Sequence, residues 1–366
     1  MPPLPPGPAL AGPSQPPGAR MPHRRTTFSK FIIEDERRRP EANAELTALL
    51  NDIQTACKFV ASAVSRGALY PQELAPRESA HEIFVRECEW GGKLCGILSS
   101  AAAEPHAIPA TYPRGRYLLI VDPLDGAEHL DVNQTVGSLF SVLRAPHGIA
   151  DPERADFLQP GSEQVAAGLA LYGPTATLAF TLGSGVHGFT LDREIGAYTL
   201  TQPDLRIAEE TDEFAIDAAG ERFWEPPVRH YVAECVQGES GPRGRNFRTR
   251  WIDSRALELQ RILVRGGLFM EPHDLRGPGA ARIPWLLGEA NPIAMLVEQA
   301  GGAATTGRER VLDLQPSSLD ERVPLVFGSL REVERLRAYY ERHDRGEDLV
   351  FATPLFNERS LFRSAK

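Results

Sequence analysis

Between Ser138 and Leu200 the chain runs through five short apolar segments, SLFSVLRA, AAGLALYG, TATLAFTL, VHGFTLD and GAYTL, separated by Gly-Pro, Gly-Ser and Asp-Arg-Glu-Ile-Gly turns. Runs of this length, punctuated in this way, predict a meandering sheet. Ahead of them, NAELTALLNDIQTACKFVASAVSRG places Leu46, Leu49, Leu50, Ile53, Cys57, Val60 and Val64 at helical spacing, with Asn43 as N-cap and Gly67 as the stop. A second helix is expected over ESAHEIFVRECEWGG, where Ser79 and Glu82 stand as in a capping box. GGLFMEP and VPLVFGS read as later strands, and NPIAMLVEQAGG and LREVERLRAYYERH as helices, the former capped by Asn291 with Pro292 at its first position. Sheets alternating with helices predict a layered α/β architecture without internal repeats.

The chain divides into a Pro-rich disordered extension over 1–25, an N-terminal α+β half over 26–200, a C-terminal α/β half over 201–343 and a polar tail over 344–366. Met21 precedes the first stretch of ordinary composition and is an alternative start. A net charge of −9 supplies no basic track, so nucleic acid is excluded as a partner and a small substrate is expected. No stretch is long and apolar enough to span a bilayer, and no signal peptide is seen, so no membrane partner is expected. Cys57, Cys88, Cys95 and Cys235 form no C-x-x-C pair, which points to a reducing cytoplasmic setting.

The chemistry concentrates in LLIVDPLDGAEHLD. RYLLIV is a continuous apolar run of the kind a strand buried on both faces requires. It ends at Asp122 and Asp125, two carboxylates three apart that can point at one hard cation such as Mg²⁺. Pro123 stiffens the connection, and Gly126 leaves room for an anion to approach the backbone. Taken alone, the same residues also suit an Asp-rich surface turn.

Context favours the metal. DPLDG after an apolar strand resembles the metal motif of the superfamily that includes inositol monophosphatases and fructose-1,6-bisphosphatases. ELTALLNDIQTACKFVASAV, EWGGKL, YPRGRYLLIVDPLDG, FLQPG, AAGLALYGPTATL, RWIDS, ILVRGGLFMEP, EANPIAMLVEQAGGAATTG and ERVPLVFGS resemble, in order, blocks of class 1 fructose-1,6-bisphosphatase. The resemblance covers Thr26 to the C-terminus and implies an αβαβα sugar-phosphatase fold with mixed sheets sandwiched by helices. It implies that Asp122, the Leu124 carbonyl, Asp125 and Glu289 are Mg²⁺ ligands, that Glu82 holds a catalytic acidic position, and that Gly126 and Arg250 bind substrate phosphate, Arg250 across a subunit boundary. The implied activity is metal-dependent hydrolysis of the 1-phosphate of fructose 1,6-bisphosphate in gluconeogenesis or Calvin-cycle sugar metabolism, by a cytoplasmic homotetramer. Glu82 also reads simply as the capping-box partner of Ser79.

The departures from the family are selective. Ser100 and Ala101 fall where two adjacent glutamates are expected, with Glu104 the nearest acid, which implies fewer Mg²⁺ ions than the family holds. GALYPQELAPRES is too short for the family's lid. Ala127 and Glu128 replace two serines, and Glu128 is expected to point outward because a buried unpaired carboxylate is costly. Glu271, Asp217 and Ile283 replace a tyrosine, an asparagine and a lysine on the sugar side, where Arg282 or Arg255 could substitute. Glu45, Thr47, Arg116 and Tyr117 retain part of a nucleotide effector pocket. Two expectations follow: a phosphatase of impaired activity, or a catalytically inactive paralogue that assembles with or regulates an active relative.

Overall fold

Apolar residues on alternating faces of the strands decide the layering. The structure is a computed structural model and describes residues 26–38, 44–69, 76–146, 152–276 and 283–347. The expected N-terminal extension, Asn43, Arg282 and most of the tail lie outside them. Among the described residues the helices are α1 (Phe28–Glu36), α2 (Ala44–Arg66), α3 (Pro76–Cys88), α4 (Pro226–Gln237), α5 (Arg255–Arg265), α6 (Asn291–Gln299) and α7 (Leu330–Asp344). Eight strands form the first sheet: β1 (Leu94–Ser99), β2 (His106–Ala107), β3 (Tyr117–Asp125), β4 (Val136–Arg144), β5 (Ala166–Tyr172), β6 (Ala176–Thr181), β7 (Val186–Asp192) and β8 (Ala197–Leu205), in the order β2-β1-β3-β4-β5-β6-β7-β8. Five form the second, β9 (Glu213–Ala215), β10 (Arg248–Thr249), β11 (Leu268–Glu271), β12 (Ala303–Thr305) and β13 (Leu325–Gly328), in the order β10-β9-β11-β13-β12.

On one face of the first sheet, Leu119, Val121, Phe140 and Val142 pack against Phe28 and Ile32 of α1, Leu50, Ile53 and Val60 of α2 and Ile83 and Phe84 of α3. On the other, Leu139, Leu169 and Ala179 meet Leu259 and Ile262 of α5 and Ile293 and Leu296 of α6, which also cover Phe269 and Phe327 of the second sheet. The outer face of that sheet, with Phe214, Met270 and Val326, rests on Val228 and Tyr231 of α4 and Leu336 and Tyr340 of α7. The layers are therefore α, β, α, β, α, and both sheets mix parallel with antiparallel pairs, as the sequence led us to expect. β4 to β8 are the expected meander.

Two helix starts differ from expectation. α3 begins at Pro76, ahead of Ser79, so Ser79 and Glu82 are not its capping box. α6 is preceded without a break by a π-turn over Leu286–Ala290, so Asn291 lies inside the helical run instead of capping it. The amide of Trp285, just ahead of the turn, is satisfied by the side chain of Glu289, whose Oε2 accepts from it at 2.5 Å.

Candidate metal centre

Two acids three apart on a regular strand would point to opposite faces. Here β3 pairs Asp122 with Leu139 but Asp125 with Gly137, so three steps on β3 oppose two on β4. The extra residue makes a β-bulge at Pro123-Leu124, where proline's missing N–H is not needed, and the Pro123 carbonyl accepts instead from Ser138 Oγ at 2.7 Å. The bulge turns both carboxylates the same way. Gly137 has no side chain to block α5: a Cβ there would stand 2.8 Å from that of Ala256.

The start of α5 receives Asp125. Ser254, its N-cap, accepts from Leu257 N at 3.3 Å and donates to Asp125 Oδ2 at 2.6 Å, and Ala256 N donates to the same oxygen at 3.0 Å. The π-turn delivers Glu289 from the other side. Asp122, Asp125 and Glu289 are all buried, with one oxygen from each within 4.8 Å of the others, and among the described residues they are the group of acids that could hold a metal.

Asp122 Oδ1 accepts from Ser100 Oγ at 2.6 Å, while its Oδ2 is buried with no hydrogen-bond partner. Burial, then the nearby Glu289, push the Asp122 carboxyl up to about 7, against the pull of Arg77. An orphaned carboxylate oxygen beside two further buried carboxylates suits a hard cation, so the residues fit one such ion. Ser100, at the point where further acids would extend the cluster, offers only a neutral hydroxyl.

Two arginines complete the surroundings. Arg77 Nη2 donates to the Leu124 carbonyl, the expected backbone ligand, at 3.2 Å. Arg255, at the first turn of α5, donates through Nη1 to Glu289 Oε1 at 2.9 Å and through Nε and Nη2 to Glu271 at 2.6 and 3.2 Å. Burial pushes Glu271 up to about 7, with Arg255 acting against it. The residue in the tyrosine position thus holds a guanidinium.

The other expected residues are dispersed. Gly126, at φ 74, turns the chain into a 3₁₀ segment over Ala127–Val132, and Glu128 there is exposed, the outward placement expected. Glu82 is exposed on the face of α3 opposite Ala80 and Phe84, so the structure does not bring it to the carboxylates; Arg77, one turn before Ala80, reaches the Leu124 carbonyl between Asp122 and Asp125 instead. Glu104 pairs with Arg154 at the surface and adds nothing to the cluster. Arg250 is exposed and pairs with Glu213 at 3.1 Å. Asp217 caps a 3₁₀ turn by accepting from Ala219 N at 2.9 Å. Arg116 stands 3.7 Å from Glu45, Thr47 donates to Glu36 at 2.5 Å, and Tyr117 is buried. A cleft of about 1080 Å³ between α2 and α3 opens beside Leu124 and Ala127.

The sequence reading missed Arg77 and Ser254. Arg77 shares a helical face with Ala80 and Phe84, a periodicity signal that was available. Ser254 meets Asp125 across 129 residues, for which no local signal exists.

Comparison with known proteins agrees with this arrangement. The family profile for the fructose-1-6-bisphosphatase N-terminal domain matches residues 79–203, and that for the C-terminal domain matches residues 207–341. The chain is 51% identical over 359 residues to a class 1 fructose-1,6-bisphosphatase of Methylacidiphilum infernorum, covering 94% of this chain and 100% of that one. It is 49% identical over 352 residues to one from Hydrogenophilus thermoluteolus, covering 92% and 97%. The crystal structure of Leishmania major fructose-1,6-bisphosphatase in its holo form superposes with a TM-score of 0.78 at 29% identity, over 86% of this chain and 99% of that one. The T-state of the same enzyme gives 0.80 at 29% identity, over 87% and 99%. With both halves matched in order around one carboxylate centre, this chain belongs to the fructose-1,6-bisphosphatase family.

Proposed function

We propose that the chain hydrolyses the 1-phosphate of fructose 1,6-bisphosphate with Mg²⁺, more slowly than an ordinary member of its family and with fewer ions. The observation that carries this reading is the buried Asp122–Asp125–Glu289 group with its unpartnered Asp122 oxygen. When bound, a divalent cation supplies charge neutralisation at a phosphoryl oxygen and makes water more acidic. Asp122, Asp125 and Glu289 would hold it, and Leu124 would add its carbonyl once Arg77 released it. Ser254 and the Ala256 amide fix Asp125, which keeps the donor set rigid. The backbone at Gly126 lets a phosphate approach closely. The low rate follows from Ser100 and Ala101, which supply no carboxylate to accept a proton or hold a second ion.

Arg250 is exposed, which suits contact with the substrate of a neighbouring subunit in a homotetramer. Among the described residues no helix is long and apolar enough to cross a membrane, and a cytoplasmic place in sugar metabolism is part of the same proposal. A second reading, an inactive paralogue that assembles with an active relative, draws on Arg255 and Arg77 occupying the very oxygens a cation needs.

Phosphate release from fructose 1,6-bisphosphate, followed alongside calorimetric titration with Mg²⁺, separates the two. Mg²⁺-dependent release at a depressed rate supports the first reading. Mg²⁺ binding or folding without any release supports the second, and turnover equal to an ordinary family enzyme refutes the expectation of impairment.

A further inference from the structure

Glu289 has both oxygens engaged. Its Oε2 accepts from Trp285 N at 2.5 Å, a bond that belongs to the π-turn itself. Oε1 is therefore the oxygen with a direction left for a cation, and Arg255 Nη1 holds it at 2.9 Å. The two side chains are each 8% exposed, so little solvent screens the contact.

The guanidinium is a planar donor with separate edges. The Nε–Nη2 edge lies on Glu271 and Nη1 alone reaches Glu289. Releasing Glu289 would leave the contact with Glu271 intact. A guanidinium and a divalent cation cannot use the same lone pairs at once, because both only withdraw electron density from them.

We propose that Arg255 competes with the divalent cation for Glu289 and withdraws onto Glu271 when the cation binds, so that the Arg255–Glu271 pair sets the cation affinity of the centre. The inference rests on the reading that Asp122, Asp125 and Glu289 hold that cation. No proton moves and no bond forms in the exchange. One N–H···O contact is replaced by a metal–carboxylate contact, and the guanidinium stays held on Glu271 through Nε and Nη2.

Mn²⁺ binding to the full chain, read from the electron paramagnetic resonance signal of the free ion, tests this without reference to activity. Arg255→Met frees Glu289 and should tighten the Mn²⁺ Kd by about tenfold or more, given the strength of charge interactions away from water. Glu271→Gln weakens the site to which Arg255 withdraws and should loosen Kd by about threefold or more. Arg255→Lys keeps the charge but loses the two-edged fork, so its Kd should also be tighter than wild type. A lysine variant identical to wild type would mean that charge alone sets the affinity and would overturn the withdrawal of the guanidinium onto Glu271. Should Arg255→Met fail to fold, the double variant Arg255→Met with Glu271→Gln removes the Glu271 carboxylate that the single variant strands, leaving Glu289 free for the cation, and it too should bind more tightly than wild type. Equal or weaker binding in the arginine-free variants overturns the inference alone, whereas no Mn²⁺ bound by wild type or any variant overturns the cation reading together with it.

Discussion

Ser100, just past the end of β1, donates its hydroxyl to Asp122 Oδ1 at 2.6 Å, beside the parallel β1–β3 pair. The contact puts a neutral oxygen beside a carboxylate whose other oxygen has no partner. It stabilises the ionised form of Asp122 but cannot hold a cation as an acid would.

Ser100→Glu combined with Ala101→Glu should therefore raise Mg²⁺ affinity. The same variant should lower the melting temperature in chelator, because another carboxylate is forced beside Asp122 without a counter-ion. Calorimetric titration and thermal unfolding with and without Mg²⁺ check both arms. Unchanged affinity would mean that the new acids do not reach the cluster.

The metal-free protein should lose stability as pH rises. Asp122 and Glu271 sit at about 7 in the fold, against about 3.9 and about 4.3 for free side chains. The folded state binds these protons more tightly than the unfolded one, so their contribution is full below about pH 4 and is lost as pH climbs through about 7. In chelator, the urea midpoint should fall between pH 5 and pH 8, and it should fall less in Asp122→Asn. A midpoint that rises over this interval in wild type relative to the variant contradicts the assignment.

Glu332 should be a stability residue remote from the centre. Arg243 Nη2 lies 2.6 Å from both of its oxygens, Arg245 Nη2 2.8 Å from one, and Tyr231 donates to it at 2.8 Å, with Arg243 and Glu332 each 2% exposed. Glu332→Ala strands a buried guanidinium and a phenol and should cost about 3–5 kcal/mol in urea unfolding. A loss under about 1 kcal/mol would show that the arginines relax to solvent.

Arg250→Ala should leave stability nearly untouched, since the Arg250 side chain is 42% exposed and Glu213 keeps its pair with Arg261 at 3.0 Å, so the lost contact is worth about 0–1 kcal/mol. If the residue serves a neighbouring subunit's substrate, the KM for fructose 1,6-bisphosphate should rise at least about tenfold, as expected for loss of a charge-assisted phosphate contact. An unchanged KM removes Arg250 from the site.

Much of the architecture was legible because it depends on many weak, redundant signals. The short apolar runs of β4 to β8, each closed by turn residues, and the helical spacing of Leu49, Ile53 and Val60 in α2 each rest on many residues at once, and no one residue has to be right. Helix starts were less legible. Ser79 and Asn291 both carry the chemistry of a cap, yet α3 begins at Pro76 and a π-turn leads into α6, so tertiary packing overrode local preference.

The sequence by itself determined the layered fold, the strand that ends in Asp122 and Asp125, and the absence of acids at Ser100 and Ala101, because these follow from side-chain period and residue type within a few positions. Only the tertiary structure decided that a β-bulge turns both aspartates the same way, that Ser254 holds Asp125, that Arg77 and not Glu82 faces the centre from α3, and that Arg255 joins Glu289 to Glu271. These contacts join residues from 16 to 129 positions apart. A charged side chain's partner is fixed by which elements meet after the sheets and helices have packed, and short-range pattern carries no record of that meeting.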